Sequence, residues 1–126
     1  MSYRKYVDMS EKLYAKAMEE LKEGKYINAC EDVWGSVKAI TSAILLKETG
    51  SVDRPKDVTW RDYLRDVFIK AGLDPGKAEE LANFFKEVQA ELHGRCFYGW
   101  EWDEVEHRPL IERAKYYVEL LKELIS

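Results

Sequence analysis

Chemically versatile side chains are scarce in this sequence. Histidine occurs twice, cysteine twice and proline three times in 126 residues. There is no glycine-rich phosphate loop, no nucleophile elbow and no His-Glu-x-x-His pair, which sets aside the enzyme classes built on those motifs. The cysteines, Cys30 and Cys96, lack Cys-x-x-Cys spacing, so neither a zinc ribbon nor a thioredoxin-type centre is expected. They read either as two buried thiols or as a disulfide. A composition rich in Lys and Glu and poor in Asn and Gln has a thermophilic cast, and intracellular disulfides occur in hyperthermophiles. No apolar run reaches the ~20 residues that cross a bilayer. The opening residues Met1-Ser2-Tyr3-Arg4-Lys5-Tyr6 carry no apolar core of a signal peptide, so a cytoplasmic protein with no membrane partner is expected. Like charges do not cluster, and the net charge is −4. A constitutive duplex-binding surface would need a basic face. Nucleic acid is therefore expected only as a transient substrate.

What is present is a strong helical pattern. Hydrophobic residues make up 46% of the chain, enough for one domain with its own core and too many for a disordered segment. Residues 3–23 predict a first helix, with Val7, Leu13, Ala17, Met18 and Leu21 inward and Gly24 as its stop. A second helix follows over 26–49. Its stripe of Ile27, Cys30, Val33, Trp34, Val37, Ile40, Thr41, Ile44 and Leu45 holds for about five turns, and Gly50 ends it. The short link predicts an antiparallel hairpin. Residues 50–58, with Pro55, predict a surface loop. Thr59 and Asp62 resemble a capping box for a third helix carrying Trp60, Leu64, Val67, Phe68 and Ala71 inward. Asp74-Pro75 opens a fourth helix that runs through His93, with Leu81, Phe84, Phe85, Val88 and Leu92 on one face. The aromatic-rich stretch 94–102 between Gly94 and Gly99 predicts a turn. A last helix covers 103–125, and Pro109 predicts either a separate turn over 103–107 or a kink. The fold class is all-α, an antiparallel, up-and-down bundle of about five helices.

Three groups of residues can carry chemistry. Glu104 and His107 have the Glu-x-x-His spacing of carboxylate-bridged metal bundles. Those sites need a second such pair and two more inward glutamates, and Ala90 stands where His93 would need its glutamate. No metal site is expected, and His107 reads as a solvated histidine at the start of its helix. His93 sits at the predicted end of the fourth helix beside Arg95. It reads either as an acid–base group or as a residue that bonds a terminal carbonyl. Glu31, Trp34 and Lys38 share one side of the second helix. They read either as a core tryptophan with a salt-bridged flank or as a polar niche with an aromatic wall.

Residues 18–31, in which a helix ends at Gly24 before Tyr26 and Ala29, resemble the first hairpin of HEPN-superfamily domains. More specifically, Ala29-Cys30-Glu31-Asp32-Val33-Trp34-Gly35-Ser36-Val37-Lys38-Ala39 and Leu92-His93-Gly94-Arg95-Cys96-Phe97-Tyr98 resemble the first class of the archaeal PaREP family. Together with the final amphipathic helix they cover most of the chain. The resemblance implies a HEPN-like antiparallel bundle, often a homodimer, in a prokaryotic cytoplasm.

Many superfamily members are ribonucleases of toxin–antitoxin and defence systems that use an arginine, four to six residues, then a histidine. This chain departs from that pattern. The permitted places hold Lys86, Glu87 and Val88 before His93, and Trp100, Glu101 and Trp102 before His107. Lysine lacks the planar fork with which arginine grips phosphate. The leading expectation is therefore a non-catalytic binding module without a cofactor. Its partner would be a nucleotide or another protein such as a nucleotidyltransferase, engaged through Glu31, Trp34, Lys38 and Tyr98. The alternatives are a divergent ribonuclease using His93 with Arg95 or Lys86, and a structural homodimer joined through Tyr98, Trp100 and Trp102.

Overall fold

The computed structural model describes residues 2–126, among which there is no β-strand. Helix α1 spans Tyr3–Lys22, α2 Tyr26–Thr49, α3 Trp60–Lys70, α4 Pro75–Val88 and α5 Glu104–Ile125; a π-helical segment, Gln89–Tyr98, continues α4. The protein is an all-α helical bundle. Its helix boundaries follow from local chemistry. Gly24 and Gly50 adopt left-handed φ values of 76° and 80°, which ends α1 and α2 where a Cβ would be strained. The Thr59 hydroxyl accepts from the Asp62 amide, and the Asp74 carboxylate accepts from the Lys77 amide ahead of α4.

Helix α2 is the centre of the bundle. It is apolar nearly all round, from Ala29 and Cys30 to Ile44 and Leu45, as a helix with neighbours on most sides must be. Helix α1 lies antiparallel against it. Ser10 and Ser36 each donate to the other's backbone carbonyl at 2.7 Å, a reciprocal bond that only two small residues permit. Helix α5 runs parallel to α2, as the contacts Thr41–Tyr117 and Lys47–Ile125 show. Helix α4 runs antiparallel to α5, through Phe84–Tyr117 and Glu87–Arg113. Helix α3 is antiparallel to α4: a short link joins them, and Trp60 at the start of α3 lies against Phe85 near the end of α4. The loop 50–59 returns along the bundle, so α3 starts near the middle of α2 and ends with Lys70 donating to the Glu48 carbonyl.

Four local expectations need correction. The fourth helix does not stop at His93; the chain keeps helical coiling to Tyr98 in wide turns, with the Gly99 amide bonded five residues back to Gly94. Pro109 neither breaks nor delays α5, which runs unbroken from Glu104. Proline removes only the bond to the Val105 carbonyl, and Val105 is 79% exposed, so water can take its place. In α1 the fully buried residues are Ser10, Ala17 and Glu20, whereas Val7, Met18 and Leu21 are only half-buried at the margin. His107 is not solvated but wholly buried.

Cys30 and Cys96, both completely buried, form a disulfide that ties α2 to the π segment across a 66-residue separation, with their Cα atoms 6.3 Å apart. Of the two readings open from sequence, the disulfide holds.

Candidate functional site

A cavity of about 660 Å³ opens between α2, the returning loop and the α4–π junction. That volume lies in the range of ordinary small-molecule sites. Its wall is aromatic: Trp34 lies 5.3 Å from Phe85 and Trp60 6.1 Å from Phe85, ring centre to ring centre. Its polar groups include Glu31, Lys38, Asp53, Gln89 and His93.

The geometry begins with Glu31 and His93. Both Glu31 oxygens lie 3.0 Å from Nδ1 of His93. A carboxylate only accepts, so Nδ1 carries the proton and donates to it. This fixes the ring and leaves Nε2 without a bond among the described residues. Trp34 covers one side of the imidazole, with centres 5.5 Å apart, and Tyr98 meets it edge-on at 4.8 Å. Of the two readings of His93, the bond to a terminal carbonyl is not the one made. The histidine sits within the π segment, held by a carboxylate from a different helix.

Lys38 also lines the cavity, is exposed, and forms no ion pair or hydrogen bond among the described residues. Glu31 and Lys38 are therefore not a salt-bridged flank. Trp34 belongs to the core, as the first reading of that helix face has it, but the salt bridge of that reading is absent, and Glu31, Trp34 and Lys38 all line the cavity.

The structure brings Glu31, Trp34, Lys38 and His93 together in this cavity. Tyr98 touches the outer edge of His93 and is 70% exposed. Arg95 lies elsewhere. Its guanidinium is taken up by Glu101, Asp103 and Glu91, and these bonds, Glu101 first, hold it charged well above the ordinary arginine range. Asp103 is in turn held below the usual carboxylate range by the Glu106 amide first and by Arg95 second. Lys86 donates to Gln89 at 3.0 Å.

His107 belongs to this second network. Its Nδ1 accepts from the Asp103 amide at 3.0 Å, which leaves the proton on Nε2, 3.1 Å from Glu91. One ring nitrogen of His107 and the sulfurs of Cys30 and Cys96 lie within 4.8 Å of one another. This is not a metal centre as it stands. The sulfurs are spent on each other, and both ring nitrogens are already bonded.

Sequence reasoning missed Trp60, Phe85, Asp53 and Gln89 as pocket residues. Trp60 and Phe85 read as core because their helical spacing points inward, and a pocket wall carries the same signal. Asp53 sits in a loop whose path no periodicity reveals. No helix among the described residues is long and apolar enough to cross a membrane.

No curated protein and no solved structure matches the chain. A family model does, over residues 5–124. That stretch contains the Glu31–His93 pair, both cysteines and every cavity residue, and through it the chain belongs to the archaeal PaREP1/PaREP8 family.

Proposed function

We propose that this protein is a non-catalytic, HEPN-like binding module of the archaeal cytoplasm whose pocket takes a nucleotide-sized ligand. One observation carries the reading: an unpaired lysine and a carboxylate-held histidine share a cavity walled by Trp34, Trp60 and Phe85. A planar base suits the aromatic wall. Lys38 offers a point charge to a phosphate, while Gln89, Ser42 and Asp53 offer hydrogen bonds to a sugar. The pocket is not strongly basic, which favours a mononucleotide over a long polyanion. The test is thermal unfolding with AMP, ADP and ATP at millimolar concentration. A ligand at 100 times its Kd stabilises the native state by about 2.7 kcal/mol, a rise of several degrees. The rise is expected in the native protein and absent in Lys38→Ala. No shift with any of the three nucleotides would refute the nucleotide reading.

A second reading, a divergent metal-independent ribonuclease, draws support from the unbonded Nε2 of His93, which a carboxylate orients as it would a general base. The engagement of Arg95 by three carboxylates counts against it. RNA cleavage without metal that disappears in His93→Ala would establish this reading. The exposed Tyr98 and Trp100 are the proposed contacts of a homodimer.

A further inference from the structure

The π segment is an unusual way to build ten residues of helix. Its five-residue ladder is rarer and less favourable than the α-helical one, and runs of it persist where something holds them. Gln89–Tyr98 also turns through less angle per residue than the 100° of an α-helix, so the difference accumulates along it. The coiling therefore decides which way each of its side chains faces. In the observed register Cys96 faces Cys30, and His93, three residues earlier, faces Glu31, the residue next to Cys30. In an α-helical register neither would point where it does.

We infer that the Cys30–Cys96 bond is a latch that holds residues 89–98 in the wide-turn register and thereby positions His93 against Glu31. The cross-link and the histidine pair are two results of the same coiling. The covalent one is the stronger tie between the segment and α2. On the other side of the segment, Arg95 and its three carboxylates join residues 91–103, and Glu91 also accepts from the buried His107 of α5. These bonds tie the segment to the start of α5, and none of them reaches α2. The latch is also inaccessible: both sulfurs lie in residues with no exposed surface. Nothing in solution reaches it without local opening, so it acts as a fixed element of the site.

With the latch absent, the segment relaxes toward α-helical coiling, and His93 swings away from Glu31 and from Trp34. The cavity loses its one oriented imidazole. The effect on ligand affinity rests on the ligand-binding reading above. The effect on His93 does not.

The chain's two histidines carry distinct tautomers here, and this makes the test direct. Nitrogen-15 imidazole spectra of the intact protein should show His93 with its proton on Nδ1 and His107 with its proton on Nε2. The same spectra are then taken on Cys30→Ala/Cys96→Ala and on Cys30→Ala/Cys96→Val, which refills part of the lost volume. The expected result is a folded protein by circular dichroism, His107 still protonated on Nε2 because the Asp103 amide bonds its Nδ1, and His93 shifted to the Nε2-protonated form that free imidazole prefers. An Nδ1-protonated His93 in either folded variant would overturn the inference. So would failure of both variants to fold at 25 °C, because the bond would then be a global stabiliser and not a local latch. Nucleotide titration of the same samples should give roughly fivefold weaker affinity without the latch, the scale of one lost neutral hydrogen bond donated by a ligand hydroxyl or amine to Nε2. If the intact protein binds no nucleotide, the proposed ligand fails while the tautomer result still decides the latch.

Discussion

Replacing Glu20 by glutamine should stabilise the protein at neutral and alkaline pH and leave it nearly unchanged in mild acid. Glu20 lies between α1 and α2, only 8% exposed, with Oε1 lacking any hydrogen-bond partner. It faces Asp32, which Lys16 approaches at 3.4 Å, and Lys25 is also close. Burial is the main cause, and the Asp32 carboxylate the second, of a rise from the ordinary 4.5 to about 7. The two lysines oppose that rise without cancelling it. The folded state therefore binds more protons than the unfolded state between these values, and unfolding free energy falls as pH rises through that window. Below pH 4.5 the carboxyl is neutral in both states and costs nothing. Above pH 7 it is charged in both, and the full penalty stands, roughly 3 kcal/mol at 1.36 kcal/mol per unit. Glutamine keeps the shape and one donor toward Asp32 but never charges. Guanidinium unfolding followed by tryptophan fluorescence at pH 5, 6, 7 and 8 gives the comparison. The native curve should slope down while the variant's stays flat, and the gap should reach a few kcal/mol at pH 8. Two parallel curves would refute the argument, because the slope would then belong to other groups.

Gly99→Ala should destabilise by about 1–3 kcal/mol, the usual range for overpacking, since its Cβ would lie 2.4 Å from the Arg95 carbonyl oxygen. Gly94→Ala is the control: its nearest neighbour would be 3.7 Å away, so denaturant midpoints should differ between the two variants. Thr41→Val removes the buried partner of the Tyr117 hydroxyl, 2.6 Å away, and should cost about 1–3 kcal/mol of unfolding free energy. Trp100→Ala should leave the helical circular-dichroism spectrum unchanged, because the ring is 80% exposed. Light scattering of the native protein and this variant tests the proposed homodimer: a dimer in the native protein that is lost in the variant is expected, and an unaltered dimer would exclude this face as the contact.

The fold was legible where burial and helical period coincide. The inward stripes of α2, α4 and α5 are all found in the core apart from Ile27, which is half-buried, because apolar residues at that spacing have one way to leave water. Capping was legible for a similar reason: Thr59 and Asp74 each act through an amide only three residues away. Helix α1 was read less well. Its contact with α2 depends on the small, polar Ser10 meeting Ser36, and a hydrophobic pattern gives no weight to a serine that allows backbones to approach. Pro109 misled because the cost of a proline depends on whether the carbonyl it strands can reach water, which is a property of the tertiary fold.

The site was half legible, and the half that was missing has one physical origin. Glu31, Trp34 and Lys38 could be grouped because a single helix sets their spacing, and His93 stood out by rarity. Their union could not be foreseen, because it depends on the coiling of residues 89–98. An α-helical reading ends the regular pattern at Gly94 and places His93 at a terminus. The wide turn places it inside, facing a carboxylate 62 positions away in sequence. The same coiling unites the cysteines, whose spacing says nothing, and turns Arg95 toward its neighbouring acids instead of the cavity. The choice between a phosphate-cleaving and a ligand-binding reading thus turns on one stretch of ten residues. With its arginine committed to carboxylates and its histidine held by Glu31 in a cavity that Lys38 also lines, that stretch supports the proposed ligand-binding reading over the proposed cleavage.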